Sequence, residues 1–348
     1  MIVFSKGDSA MKKSISKSLL LLLFGVLITC VVYPLALWAV GQAVFPFQAN
    51  GSIVKGQDGT PVGSLLIAQP FTKDEYFQPR PSAAAYNGSA SSSSALAASN
   101  YALRNRVATT LGPIVKYNSG AKAGQPVAPD VESWFQQDRF QGAPSIVLQW
   151  ADAHNSLAQA WVAADSTHAG YVNDWTKSHA SVVAQFVKAN PGTPQPQPSD
   201  LAVVFFETFS KENPGKFPSA VTHTDSAGKS MTAIEPVGAG TDIQSTFFDM
   251  WRTDHADAPL QDLPGDMLTT SGSGLDPHIT LQNAEYQLDR VAAKWAADTK
   301  RDAPGIRAEI EKLLQDKSFA PFNGLAGEKL INVLEVNLEL RNRYGAPS

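Results

Sequence analysis

The hydrophobic pattern along the chain changes character twice. It opens with an unbroken apolar run. No residue from Ser18 to Val54 is charged, and Leu19–Val44 reads LLLLLFGVLITCVVYPLALWAVGQAV. About 20 apolar residues at about 1.5 Å rise each cross a hydrocarbon core of about 30 Å, so the run predicts a membrane-spanning helix over residues 18–44. Pro34 lies past its middle and removes one backbone donor. Lys6, Lys12, Lys13 and Lys17 precede the run, and the next cation is Lys55. This bias predicts residues 1–17 in the cytoplasm and everything beyond about residue 45 outside it. Met11-Lys12-Lys13 also reads as a natural start, which would make the first ten residues dispensable. Two rival readings share the flanks: a cleaved signal with Ala39 and Gly41 as its small residues, and a lipoprotein modified at Cys30. The length of the run, and Trp38 with Phe45-Pro46-Phe47 at its far end, favour a retained helix with an aromatic interface anchor.

Beyond the run, short alternating segments come first. Gly63–Gln69 predicts a strand, and Tyr76–Ser82 an extended segment, because Arg80 precedes Pro81. Gly88–Asn100 is rich in Ser and Ala and by composition alone is a flexible linker. Helical spacing then dominates. Residues 144–164 place Ile146, Trp150, Leu157 and Trp161 on one face, and 168–189 place Tyr171, Trp175, Val182, Val183 and Phe186. Residues 191–198 (PGTPQPQP) break the pattern. Ser199-Asp200 caps a helix over 201–209, and Thr241-Asp242 starts one running to Trp251. The Trp and Phe stripes predict core. The last third predicts helices over 281–298, with Thr280 as N-cap, and over 303–316, with Pro304 in the first turn. Asn323-Gly324 predicts a turn and Leu330–Leu338 a strand. The fold class expected is an α+β extracytoplasmic domain anchored by one N-terminal transmembrane helix.

Composition narrows the function. The 348 residues carry a net charge of -4, with no block of Lys and Arg pointing to nucleic acid. Cys30 is the only cysteine, so the chain can form no internal disulfide and no multi-thiolate metal site. None of the six histidines falls in a His-Glu-x-x-His arrangement. No metal site and no catalytic residue is predicted.

The most chemically suggestive stretch is SGSGLDPH, comprising Ser271, Gly272, Ser273, Gly274, Leu275, Asp276, Pro277 and His278. Glycines and serines ahead of a helix can cradle an anion, yet the stretch has neither a Walker A ending nor a Rossmann spacing. A tight structural loop is the competing reading. Ser273, Asp276 and His278 hold the residue types of a serine hydrolase, but neighbours in one loop do not converge as a triad does. On the helix that follows, Asn283 and Gln287 share a face, as do Gln287 and Arg290. That polar row would touch a ligand, a partner or solvent.

An ordered set of motifs spans both ends of the chain: YPL at 33–35, FPFQANGS at 45–52, GSLLIAQPF at 63–71, YFQPRPS at 76–82, YNGSASSSSALAASN at 86–100, TTSGSGLDPHIT at 269–280, NAEYQLDRVA at 283–292 and INVLEVNLEL at 331–340. This set resembles the C subunit of the Kdp-type potassium-transporting ATPase over about 15–115 and 264–343. The resemblance divides the chain into an α+β family core, 45–117 with 264–348, and a mostly helical insert, 118–263, of unassigned role. It also implies that the 88–100 stretch is an ordered loop.

The resemblance implies a noncatalytic subunit of the ATP-driven potassium uptake complex, in the bacterial inner membrane. Its implied partners are a channel-like potassium-binding subunit and a P-type ATPase subunit. Its implied role is assembly of the complex, with a proposed task as catalytic chaperone that raises ATP affinity. No cofactor is held firmly, although ATP binding would come with the family. Candidate partner contacts are Tyr33, Pro34, Phe45, Pro46, Phe47, Gln48, Arg80, Pro81 and Ser82, with Gly25 and Gly41 as points of close helix approach. Nucleotide is cytoplasmic, whereas the charge bias places Gln287 and Arg290 outside, so the chaperone role strains against the topology. One span without an intramembrane charge makes no potassium pathway. A membrane-anchored or secreted extracytoplasmic binding protein or enzyme stays open as the alternative.

Overall fold

A computed structural model describes residues 7–56, 59–137, 145–224, 228–325 and 327–346. Lys6, Pro144 and the first six positions of the expected cytoplasmic segment lie outside the described residues. Among the described residues, one helix, Lys13–Val44, is long and apolar enough to cross a membrane, and none of it is buried by the rest of the chain. Proline shapes its middle. The helix runs as Gly7–Leu27, a π-turn over Ile28–Val32, then Tyr33–Val44. Pro34 has no N–H, and its ring would strike the carbonyl four residues back. The π-turn relieves this by letting the Tyr33 N–H reach the carbonyl of Ile28, five residues back. Thr29 Oγ1 donates to the Gly25 carbonyl at 2.8 Å, a back-bond that also favours a bend.

The chain divides into two compact units, residues 1–94 with 264–348, and residues 95–263. In the first, an antiparallel pair of strands, Ile53–Lys55 and Pro61–Ser64, follows the apolar helix. The strand expected over 63–69 thus ends at Ser64. Beyond it, Leu65 N–H turns back to the Ser52 carbonyl and Ala68 N–H pairs with the Leu275 carbonyl. The helices Leu281–Thr299 and Ala303–Lys317 appear where periodicity placed them. Thr280 Oγ1 accepts from the Asn283 N–H, and Asp302 caps the second helix at Gly305. Lys300 turns the chain between them in the left-handed conformation (φ 55°).

The strand expected over Leu330–Leu338 is corrected. Only Leu330–Asn332 is strand, paired antiparallel with His278–Thr280, and Val333–Tyr344 is helix. Asn332 caps that helix by accepting from the Glu335 N–H at 3.2 Å. Its buried residues Val333, Val336, Asn337 and Leu340 keep the 3–4–7 spacing of a helix face. The core of this unit gathers Phe77, Leu288, Val291, Trp295, Ile310, Leu314, Ile331 and Val336.

The second unit is mainly helical, as patterned, but its two long helices are broken. His154 (φ -133°, ψ 52°) separates Ile146–Ala153 from Asn155–Ala163, and His179 (φ -119°, ψ 36°) separates Ser166–Ser178 from Ala180–Ala189. The expected helix over 201–209 is Ala202–Glu212, and the one ending at Trp251 is Thr241–Asp254. A β-hairpin, Phe217–Thr224 with Ser230–Val237, was not predicted. The Trp and Phe stripes do form core: Trp150, Phe205, Phe206, Phe217 and Phe247 pack together. A second cluster joins Val115, Val127, Val131, Phe248 and Trp251. It draws the helix Tyr101–Ile114 into this unit, so the structural division falls at 94/95, ahead of the 118 boundary read from the motifs.

Candidate functional site

The 271–278 loop is built from its glycines and serines. Gly274 has φ 69°, and a Cβ there would lie 2.6 Å from the Ser92 carbonyl oxygen and 2.9 Å from Ala84 Cβ, so no other residue fits. The loop's carbonyls are taken up in turn. Ser273 O accepts from Ser92 N–H and Ser91 Oγ, both at 3.0 Å, and Gly274 O accepts from Ser82 Oγ at 2.5 Å. Ser94 and Thr270 join hydroxyls at 3.0 Å. The first part of the Ser- and Ala-rich 88–100 stretch, through Ser94, is therefore bonded to this loop rather than left as a free linker.

Ser82 has a second task, accepting from the N–H groups of Ala84 and Tyr86. Arg80 donates to the Thr270 carbonyl at 3.3 Å and lies 3.7 Å from Asp276, and its own carbonyl accepts from Tyr86 OH. Asp276 Oδ1 accepts from the His278 N–H and lies 3.0 Å from His278 Nδ1. Burial is the largest influence on Asp276 and pushes its pKa up, but the His278 bonds and the Arg80 charge together outweigh it, and the net shift is down. Ser273 Oγ accepts from the Leu275 N–H. Among the described contacts none joins Ser273 to His278, so the hydrolase-like trio is not assembled as a triad. The outer side of the loop lines an open cavity of about 540 Å³ with exposed Leu66 and half-exposed Ile67, where Gly272, Ser273, Asp276 and His278 face solvent.

Gln287 and Arg290 have a different surrounding from the loop. Gln287 is buried. Its Oε1 accepts from Gln78 N–H and Arg290 Nη2, each at 2.8 Å. Its Nε2 donates to Gln78 O and Asn283 Oδ1. Both donors and both lone pairs of the amide thus have partners inside the protein. Arg290 donates to the carbonyls of Asp74 (2.8 Å) and Tyr76 (3.1 Å). Burial lowers its pKa, opposed by Asp74 and then Glu75. The polar row therefore reads as a clamp on the extended 74–78 segment.

Sequence reasoning missed the rest of that clamp. Asn337 is buried, accepts from Phe77 N–H and donates to Phe77 O, each at 2.9 Å. Trp295 Nε1 donates to Glu75 O at 2.7 Å. Outside the clamp, Asp266 holds both Thr280 N–H (2.7 Å) and Thr280 Oγ1 (3.1 Å) at the start of the 281–299 helix. The available signal was one asparagine in an otherwise apolar helical face, since a buried amide must find partners. Tyr33, Phe45 and Phe47 of the apolar helix and its end are exposed, as are Pro34, Pro46 and Gln48. Among the described residues no group of three or more His, Cys, Asp and Glu side chains comes together as a metal site.

Fold and site together define a mixed α/β protein carried on one membrane-length helix, with a serine–glycine loop as its structural hub. Residues 15–133 and 218–342, more than half of the chain, match the family described as K+-transporting ATPase, c chain (KdpC). The chain belongs to the KdpC family. It is 49% identical over 88 residues to a potassium-transporting ATPase KdpC subunit 2 from Nostoc sp., covering 23% of this chain and 44% of that protein. It is 44% identical over 110 residues to the KdpC subunit of Pseudomonas putida, covering 32% and 60%. It is 41% identical over 127 residues to that of Caulobacter vibrioides, covering 33% and 64%. The chain thus spans about half the length of the curated relatives it matches. The stretch between the two family matches, 134–217, is narrower than the 118–263 insert expected from the motifs.

Proposed function

We propose that this chain is the C subunit of an ATP-driven potassium uptake complex in a bacterial inner membrane. The observation that carries the reading is the discontinuous family match, which reaches both ends of the chain and includes the loop and clamp of the first unit. In this reading the Lys13–Val44 helix spans the membrane with Lys12, Lys13 and Lys17 inside, and both units lie outside. The chain is noncatalytic. Its partners are a channel-like potassium-binding subunit, met within the membrane by the helix, and a P-type ATPase subunit. Tyr33, Pro34, Phe45, Pro46, Phe47 and Gln48 supply the helix contacts. The open face of the 271–278 loop, with Leu66 and Ile67, supplies a contact outside.

The clamp bears on the nucleotide role. Gln287 spends its whole amide on partners inside the protein, so in this reading a gain in ATP affinity passes through subunit contacts rather than through the Gln287 amide. The test is expression at native level with a tag, detergent extraction, and identification of the co-purifying chains. A multi-span subunit and a P-type ATPase that come with the chain, with potassium-dependent ATP hydrolysis, support the reading. A chain extracted alone, with its N-terminus cut near residue 42, refutes it and favours a secreted binding protein or enzyme.

A further inference from the structure

We infer that the groove between the first hairpin and the C-terminal helix of unit one binds the headgroup of an anionic phospholipid. This inference rests on the reading above that the Lys13–Val44 helix lies in a membrane. Two adjoining cavities, of about 490 and 410 Å³, share Gly56, Leu338 and Asn342 as their common wall. Arg341 lines one and Lys55 the other.

Charge complementarity identifies the ligand. Two carboxylates line the Lys55 cavity, and both are matched: Glu335 pairs with Lys317 at 2.8 Å and Glu339 with Arg343 at 2.9 Å. Arg341 and Lys55 have no carboxylate partner among the described residues, and both are exposed. Among the described residues the groove therefore presents two cations without an ion-pair partner, with Asn342 as a neutral donor lining both cavities. Val54, Val62, Leu65 and Leu338 give the walls an apolar part. Two cations above apolar walls suit a phosphodiester on an acyl-bearing body better than they suit a free anion.

Position supplies the second argument. Asn50 folds back on the end of the apolar helix, its Nδ2 donating to Gln42 Oε1 at 3.1 Å and to the Pro46 carbonyl at 2.6 Å. Lys55 follows Asn50 by five residues, so the chain cannot carry it more than about 17 Å away, at about 3.4 Å per residue. This bound keeps the Lys55 side of the groove near the end of the helix, which in the membrane reading leaves the bilayer there.

The test uses the full chain in a neutral detergent, titrated with short-chain phosphatidylglycerol, short-chain phosphatidylcholine or inorganic phosphate, and read as a shift in melting temperature. Phosphatidylglycerol is expected to raise the melting temperature saturably, and phosphatidylcholine to leave it unchanged. Each cation near an anionic headgroup strengthens binding about fivefold, so Lys55→Gln with Arg341→Gln should weaken half-saturation by about 25-fold. Lys55→Gln alone, on a short exposed strand, should weaken it about fivefold and guards against a misfolded double variant. Equal shifts with phosphatidylcholine, or an undiminished shift in the variants, overturn the inference. An equal shift with inorganic phosphate assigns the groove to a soluble anion and also overturns it. So does a co-purified complex in which the groove is protected with no lipid retained, since a subunit then covers it. A full chain that stays soluble and monomeric with no detergent refutes the membrane reading instead, which keeps the two failures apart.

Discussion

Asn337→Leu keeps a side chain of similar size and shape but removes both bonds to Phe77. Phe77 is fully buried, so its N–H and C=O lose their partners where water does not replace them. Each buried backbone group left unpaired costs about 1–3 kcal/mol, giving about 2–6 kcal/mol for the pair. That is a large part of the roughly 5–15 kcal/mol by which a typical domain is stable. Five of the seven tryptophans, Trp134, Trp150, Trp161, Trp175 and Trp251, lie in the other unit, so fluorescence would report mainly on it. The assay is therefore hydrogen exchange of peptides covering 71–82, alongside urea unfolding of the full chain. The 74–78 amides should lose most of their protection while the 95–263 unit keeps its own. Asn337→Asp serves as the internal control. The ionised carboxylate still accepts from Phe77 N–H but repels Phe77 O, whereas the protonated acid can serve both, so this variant should recover stability on acidification. Wild-type protection of 74–78 in Asn337→Leu, with an unchanged unfolding midpoint, would refute the clamp.

Other consequences are equally accessible. Gly112→Ala places a Cβ 2.0 Å from the Gln244 carbonyl oxygen, so the Tyr101–Ile114 and Thr241–Asp254 helices must separate; a loss of about 3 kcal/mol or more should appear in urea unfolding of the 95–263 unit. His179 Nδ1 faces the Trp175 carbonyl and Nε2 faces Glu212 at 2.8 Å, and the bond to Glu212 is the main cause of its raised pKa. Its stabilisation is fully present below the unfolded value of 6.5 and is lost as pH rises through the higher folded value, so the melting-temperature gap between wild type and His179→Gln should shrink from pH 6 to pH 8. Asp276 has a lowered pKa, so its contribution is present above the unfolded value of 3.8 and is lost as pH falls through the lower folded value. Asp276→Asn should therefore be less stable than wild type at neutral pH, with the difference closing in acid.

What could be read from the sequence follows from how local each signal is. The apolar helix, the Thr280 cap and the 281–299 and 303–317 helices rest on contacts within a few residues, and composition and spacing record those. Leu330–Leu338 misled because LINVLEVNL alternates well over nine residues. The decisive signals were the Asn332 cap with Glu335 and the continuation of the apolar face to Leu340, just past that window. The 217–237 hairpin was hidden by Pro218 and Pro236, which ordinarily argue against a strand. They sit opposite each other in the register, in a two-stranded ribbon whose outer edges pair with nothing among the named strands. The breaks at His154 and His179 carry neither glycine nor proline. The loop was recognisable as a feature, but Gln287 and Arg290 looked like a ligand face because their partners, Asp74, Tyr76 and Gln78, lie more than 200 residues away. Spacing along a helix says which side chains share a face and nothing about what that face meets.

The bond between Asn337 and Phe77 also fixes an interval of time. It joins positions 260 residues apart, and at about 5–20 residues per second a ribosome takes about 13–52 s to make that length. For most of this interval Phe71, Tyr76 and Phe77 have been synthesised, but the helices that will cover them have not. The 95–263 unit is complete in sequence well before the first unit can close. A cell making this chain must therefore keep an aromatic segment soluble beside a growing neighbour, and every residue added between 95 and 263 lengthens the wait.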